Sequence, residues 1–123
     1  MLMRTLPDKI SELALPSGTV EIDEAGYITN PDLWTPNFAE HLAVNDGVDL
    51  TPEHWEIIDF VRESYAEHRV AVDVRHVLKL AQNGLGMSKH DAKIRMLDLF
   101  PLGYVRQAVK MAGMKQPRAW STG

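Results

Sequence analysis

Thr51-Pro52-Glu53 restricts the fold more than any other feature of this chain. The threonine hydroxyl can accept from the first free amides of a helix. The proline ring presets φ where a missing N–H costs nothing, and the acid sits at the positive end of the helix dipole. Trp55, Ile58, Val61, Arg62 and Tyr65 follow near helical spacing, so a helix runs on from Pro52 with one apolar face. The flanking sequence is punctuated in the same way. Pro36 opens a helix to about Val44, stopped by Asn45-Asp46-Gly47, and Trp34, Phe38 and Leu42 share a face. A third helix covers about Val72 to Gln82, with Val74, Val77, Leu78 and Ala81 inward and Asn83-Gly84 as its stop. Ser88 caps a fourth, because Asp91 completes a Ser-x-x-Asp pattern before Ile94, Leu97 and Leu99, and Pro101 ends it. The last helix is predicted from about Gly103 to Ala112, with Val105, Ala108, Val109 and Ala112 on its stripe and Gly113 at the C-cap.

Upstream, Thr19-Val20-Glu21-Ile22 and Gly26-Tyr27-Ile28-Thr29 alternate around Asp23-Glu24-Ala25, which predicts a β-hairpin. Two strands are marginal alone, so the hairpin must lie on the helical body. Residues 1–18 lack a clear period and carry Pro7 and Pro16, and they read as a partly ordered extension. The expected organisation is thus a mainly α (α+β) domain over 19–113. It is a five-helix, bundle-like body with a small N-terminal hairpin, followed by a flexible C-terminal arm over 114–123.

With 123 residues, 45% hydrophobic and 24% charged, the chain can build one core burying roughly two thirds of its unfolded surface. No stretch reaches the ~18 apolar residues of a membrane span. Pro7, Asp8, Lys9 and Glu12 interrupt any signal-peptide run, so the expectation is a cytoplasmic protein without membrane contact. Residues 1–61 hold 2 Lys+Arg against 12 Asp+Glu, and 62–123 hold 11 against 5. Such a split fits two halves that attract each other when packed somewhat better than a basic surface for an anionic partner. There is no cysteine, which excludes disulfides, thiolate nucleophiles and cysteine-ligated metal.

Four strings, DEAGYITNPDLW at 23–34, LTPEHWEIIDFVRESY at 50–65, VRHVLKL at 74–80 and LFPLGYVRQAVKMAGM at 99–114, together resemble the DsrC/TusE family. The resemblance covers roughly residues 19–118, and it implies a mainly helical fold with a small N-terminal hairpin. It also implies a role in sulfur metabolism. Members carry sulfur between sulfurtransferases towards tRNA thiolation, or bear the substrate as the gamma-subunit partner of dissimilatory sulfite reductase. Their chemistry sits on a C-terminal arm with a penultimate cysteine, and many hold a second cysteine in the last helix. By alignment on Leu99-Phe100-Pro101 the helix cysteine falls at Val109 and the arm cysteine at about Trp120, in an arm about two residues longer than the family's. Neither side chain forms a persulfide, and a serine hydroxyl lacks the acidity and polarizable sulfur to substitute. The implied partners are sulfurtransferase or sulfite-reductase-type proteins.

Within the arm, Pro117, Arg118 and Trp120 form a candidate partner-binding element, the indole serving as anchor for a partner's pocket or folding back on its own domain. Arg75, Lys79, Lys89, Lys93 and Arg95, with Arg106 and Lys110, lie on consecutive predicted helices. The pair over 72–82 and 89–99 has helix-turn-helix proportions, which makes a DNA-binding regulator the alternative. Against it stand a loose connection of about five residues and an acidic pI of 5.7. His41, His54, His68, His76 and His90 include no His-x-x-x-His pair, so no metal or other cofactor is expected, and His54 reads as structural. Glu53, Glu56, Asp59 and Glu63 read as a solvated, unperturbed helix face, and no catalytic constellation emerges. The expected function is that of a docking or regulatory module without a thiol, not an enzyme.

Overall fold

The computed structural model describes residues 9–116, apart from the side chain of Leu85. Its elements in order are β1 (Ser11–Leu15), β2 (Gly18–Ile22), a 3-10 turn (Pro31–Leu33), α1 (Pro36–Asp46), α2 (Pro52–His68), α3 (Val74–Leu85), α4 (Lys89–Leu99) and a π-helix (Tyr104–Val109). The caps of α1, α2 and α4 are those the sequence signals, whereas α3 starts after Asp73 and runs past the expected Asn83-Gly84 stop to Gly86. The Thr51 hydroxyl accepts from the His54 N–H, Ser88 from Asp91, and Asp73 from Arg75, while Gly47 and Gly86 end α1 and α3 in the left-handed region.

At the start of α2 the cap is reciprocal, with histidine where Glu or Gln is usual. His54 Nδ1 accepts the Thr51 N–H at 3.1 Å, and Nε2 donates to the Leu99 carbonyl at 2.8 Å. One partner only donates and the other only accepts, so the ring proton sits on Nε2. The ring is 5% exposed and meets Phe100 edge to face at 5.1 Å, which fastens the start of α2 to the end of α4.

The hairpin differs from the predicted one. It pairs β1 with β2 in the register Leu13↔Val20 and Leu15↔Gly18, around Pro16-Ser17, and Ile28 adds only an isolated bridge to Ile22. Residues 11–15, read from the sequence as extension, form its first strand. Leu13 and Leu15 alternate onto the core with Val20, whereas the 26–29 segment is drawn inward by Tyr27 (4% exposed) and Ile28 (1%) instead of lying flat on a sheet.

Two helical faces also shift. On α4 the buried residues are Ala92, Met96 and Leu99, and Ile94 and Leu97 of the predicted run are exposed. The final helix is a π-helix over 104–109, continued by one α-turn at Lys110 and Met111, instead of an α-helix over 103–112. Five of its residues are buried and only Arg106 faces out. A segment buried all round has no polar face to set an α-helical stripe, and the wider turn is stabilised by its neighbours. Met114, predicted to start the arm, is 1% exposed and donates its N–H to the Val109 carbonyl, so the packed body continues past Gly113.

Glu53 is not a free carboxylate on a solvated face. Arg95 of α4 holds it through both guanidinium Nε (2.9 Å) and Nη2. That hydrogen bonding holds the Glu53 carboxyl below its ordinary 4.5, against a smaller opposing effect of burial. The folded state therefore keeps a charge that the unfolded chain starts to lose near pH 4.5. The contribution is complete above that pH and fades as pH falls below it. Glu53→Gln should lower stability near neutral pH, and its deficit relative to the parent should shrink in urea unfolding as pH drops from about 5 to about 3.

Candidate functional site at the end of the last helix

An α-helical or π-helical end leaves carbonyls without partners inside the helix, and here it lies in the core, where such groups cost free energy unless paired. Side chains from distant elements provide the partners. The Trp34 indole N–H donates to the Met111 carbonyl at 2.7 Å, and Arg62 of α2 donates to the Ala112 carbonyl at 2.8 Å. A second Arg62 nitrogen reaches the Pro31 carbonyl at 3.3 Å, and its guanidinium lies 4.2 Å from the centre of the Trp34 ring. Burial pushes the Arg62 pKa down, yet three neighbouring groups, Asp32, Tyr65 and Asp59, act the other way.

Further up the same helix, the Tyr27 hydroxyl donates to the Val105 carbonyl at 3.2 Å, and Lys110 Nζ lies 5.3 Å from the Tyr27 ring centre. Burial, followed by the Asp23 charge, raises the Tyr27 pKa. Tyr104 donates to the Val72 carbonyl and Gln107 joins Leu102 to Asp46. The hydroxyl of Tyr104 is raised above its ordinary value by burial first and Asp73 second. This lattice positions the chain as far as Lys115 and Gln116, both exposed.

Val109 lies inside this lattice at 0% exposure. A side chain there faces packed apolar atoms, so the position is closed to any reagent or partner in the folded state. The arm residues Pro117, Arg118 and Trp120 lie outside the described residues. Of the basic set, Lys79, Lys89 and Lys93 are exposed, Arg75 bonds Asp73 at 3.1 Å, and Arg95 is committed to Glu53. Arg106 is exposed and Lys110 half-buried over Tyr27. Three residues, Gly86-Met87-Ser88, join α3 to α4, fewer than predicted, because α3 runs on to Leu85. Among the described residues no three His, Asp or Glu groups are arranged to hold a metal, and no helix is long and apolar enough to cross a membrane.

Sequence periodicity did not identify Trp34, Arg62 and Gly113 as one unit. Trp34 precedes its helix, Arg62 is a charge on an apolar stripe, and Gly113 looks like an ordinary C-cap. An arginine at an inward position of a helical stripe was the available signal. Gly113 has φ +79°, and an added Cβ would sit 2.6 Å from Trp34 Cγ and 2.7 Å from its Cβ.

A small helical domain wrapped around a buried final helix, with Val109 sealed inside it, is the class that the fold defines. The chain matches the family described as DsrC like protein over residues 15–119. It is 36% identical to Sulfurtransferase TusE of Escherichia coli (strain K12) over 98 residues, 80% of this chain and 89% of that protein, and equally to that of Shigella dysenteriae. The solution structure of Allochromatium vinosum DsrC superposes with a TM-score of 0.76 at 35% identity, covering 89% of this chain and 97% of that one. The oxidized gamma-subunit of the dissimilatory sulfite reductase (DsrC) from Archaeoglobus fulgidus gives 0.75 at 28% identity, over 88% and 97%. The chain belongs to the DsrC family, and its match begins in β1, upstream of the strings that carry the resemblance.

Gly113→Ala combines a left-handed backbone with a clash against Trp34, and should cost about 2–4 kcal/mol in denaturant unfolding. Val109→Cys, an approximately volume-conserving change, should fold. Its thiol should react with an aromatic disulfide reagent about a hundredfold or more slower than free cysteine, at the rate of local opening. Rapid labelling would contradict the closed position.

Proposed function

We propose that this protein is a docking or regulatory module of sulfur metabolism that acts without a thiol, binding sulfur-relay or sulfite-reductase-type partners and competing with cysteine-bearing relatives for them. The observation that carries the reading is a retained DsrC-family body in a chain with no cysteine, where position 109 holds a sealed valine. Sulfur cannot be carried as a persulfide by any of its side chains. The protein is therefore no sulfurtransferase by itself, although relatives bear that name. In this reading the segment holding Pro117, Arg118 and Trp120 occupies a partner's pocket as an unreactive plug, and the exit geometry fixed by Trp34 and Arg62 directs it. It would act in the cytoplasm.

The test is affinity capture from the native host's lysate with the full chain and with a version ending at Gln116. The shorter endpoint of Gly113 would remove buried Met114 and perturb the core. Sulfurtransferase or sulfite-reductase subunits should be recovered by the full chain and lost on truncation. Failure to recover either, where a cysteine-bearing relative succeeds, would sink the reading.

The short, glycine-bearing connection between α3 and α4 favours a second reading, regulatory DNA binding through Lys79, Lys89 and Lys93. It requires an affinity that falls steeply with salt and is lost when Lys89 and Lys93 are changed to Glu. Salt-independent or absent DNA binding removes it.

A further inference from the structure

The end of α2 and the start of α3 enclose a groove of about 650 Å³ that the sealed helix and its capping lattice do not use. α2 stops at His68, and Arg69 takes a left-handed conformation (φ 60°) that turns the chain back across its own helix. The turn lays Val70, Ala71 and Val72 beside Phe60, giving the groove an apolar floor. Val70 is 62% exposed at its lip, and Val72 is fixed from below through its carbonyl by Tyr104.

The rim carries three carboxylates, and His68 and His76 line it beside them. Glu63, Glu67 and Asp73 line it, and the last is occupied by Arg75 and by the first turn of α3. Glu67 is 74% exposed in its side chain and pairs with His68 at 3.3 Å, and Glu63 makes no ion pair among the described residues. No Lys or Arg lines the groove. An apolar trough edged by Glu63 and Glu67, with no Lys or Arg in its lining, attracts a cationic ligand and repels an acidic one. Its volume suits one large side chain with the backbone that presents it.

We propose that this groove is a docking site for a basic peptide segment of a partner protein, which inserts a large apolar side chain between Phe60 and Val70 and sets Lys or Arg against Glu63 and Glu67. The inference rests on the docking reading and deepens it by naming a second surface on the body, apart from the arm.

The experiment titrates the full, isotope-labelled chain with the synthetic peptide Ac-Arg-Leu-Lys-Trp-Arg-Leu-amide, followed by amide NMR shifts, with Ac-Glu-Leu-Asp-Trp-Glu-Leu-amide as control. Saturable shifts at Glu63, Glu67, Val70 and Ala71 are expected with the basic peptide alone. They should weaken about tenfold in the double variant Glu63→Lys/Glu67→Lys and on raising salt, because the rim charges are exposed and screened. Scattered shifts, equal binding of the acidic peptide, or unchanged binding by the double variant would overturn the site. Contacts from the chain's own Trp120 to Phe60 and Val70 within one molecule would overturn the partner as occupant. The double variant also goes through the lysate capture. Loss of partner with the arm intact supports the groove's role, and undiminished capture overturns it while leaving arm-borne docking standing. If even the parent chain captures nothing, the docking reading falls, and the peptide titration still decides the groove.

Discussion

The carbonyls of the final helix are the constraint on which the rest of this structure depends. A helix placed in the core with both flanks buried leaves polar groups that water cannot reach, and each must find a partner or destabilise the fold. Tyr27, Trp34 and Arg62 reach the carbonyls of Val105, Met111 and Ala112 from three separate elements, 50 or more residues away along the chain. Because the donors sit on the loop after the hairpin, the turn before α1, and α2, satisfying the last helix fixes how the earlier elements assemble around it. Gly113 follows from the same arrangement, since any Cβ there would displace the Trp34 side chain that the bonds require.

The charge asymmetry is resolved in the same way. Arg95 pairs with Glu53 and Arg69 with Asp32, so the ion pairs that join the two halves run from the basic second half to the acidic first. The Arg69 pair is exposed and contributes little, while the Glu53 pair combines two guanidinium bonds with partial cover and pins α4 to the start of α2, beside the His54 contact with Leu99. Attraction between halves thus accounts for part of the basic set, and it leaves Lys79, Lys89 and Lys93 as the uncommitted cations of α3 and α4.

The DsrC-family fold is kept here in a chain without cysteine, and the packing of the final helix shows what holds that shape. Position 109 is a core site, and its valine is fully enclosed by the packing around the final helix. The acid-rimmed groove of α2 and α3 lies apart from this core.

Helix starts and stops were legible because they are local. Thr51-Pro52, Ser88 with Asp91 and the glycine after α1 act over three or four residues, and each stands where its side chains dictate, whereas α3 passes through Asn83-Gly84 and stops only at Gly86. The first strand was not legible, because Leu13 and Leu15 alternate too briefly to stand out until Val20 pairs opposite them. Nor was the outward turn of Ile94 and Leu97, since both faces of α4 carry apolar residues and only the approach of neighbouring elements selects Ala92, Met96 and Leu99. Glu53 read as solvated because its partner lies 42 residues away. By itself the sequence determined the family, the starts of α1, α2 and α4 and the absence of any thiol, all properties of residue type and short spacing. Tertiary structure alone decided the π-helical turn, the burial of Val109 and Met114, the Trp34-Arg62-Gly113 unit and the groove, because each arises from contacts between residues far apart in the chain, whose free energies no local pattern encodes.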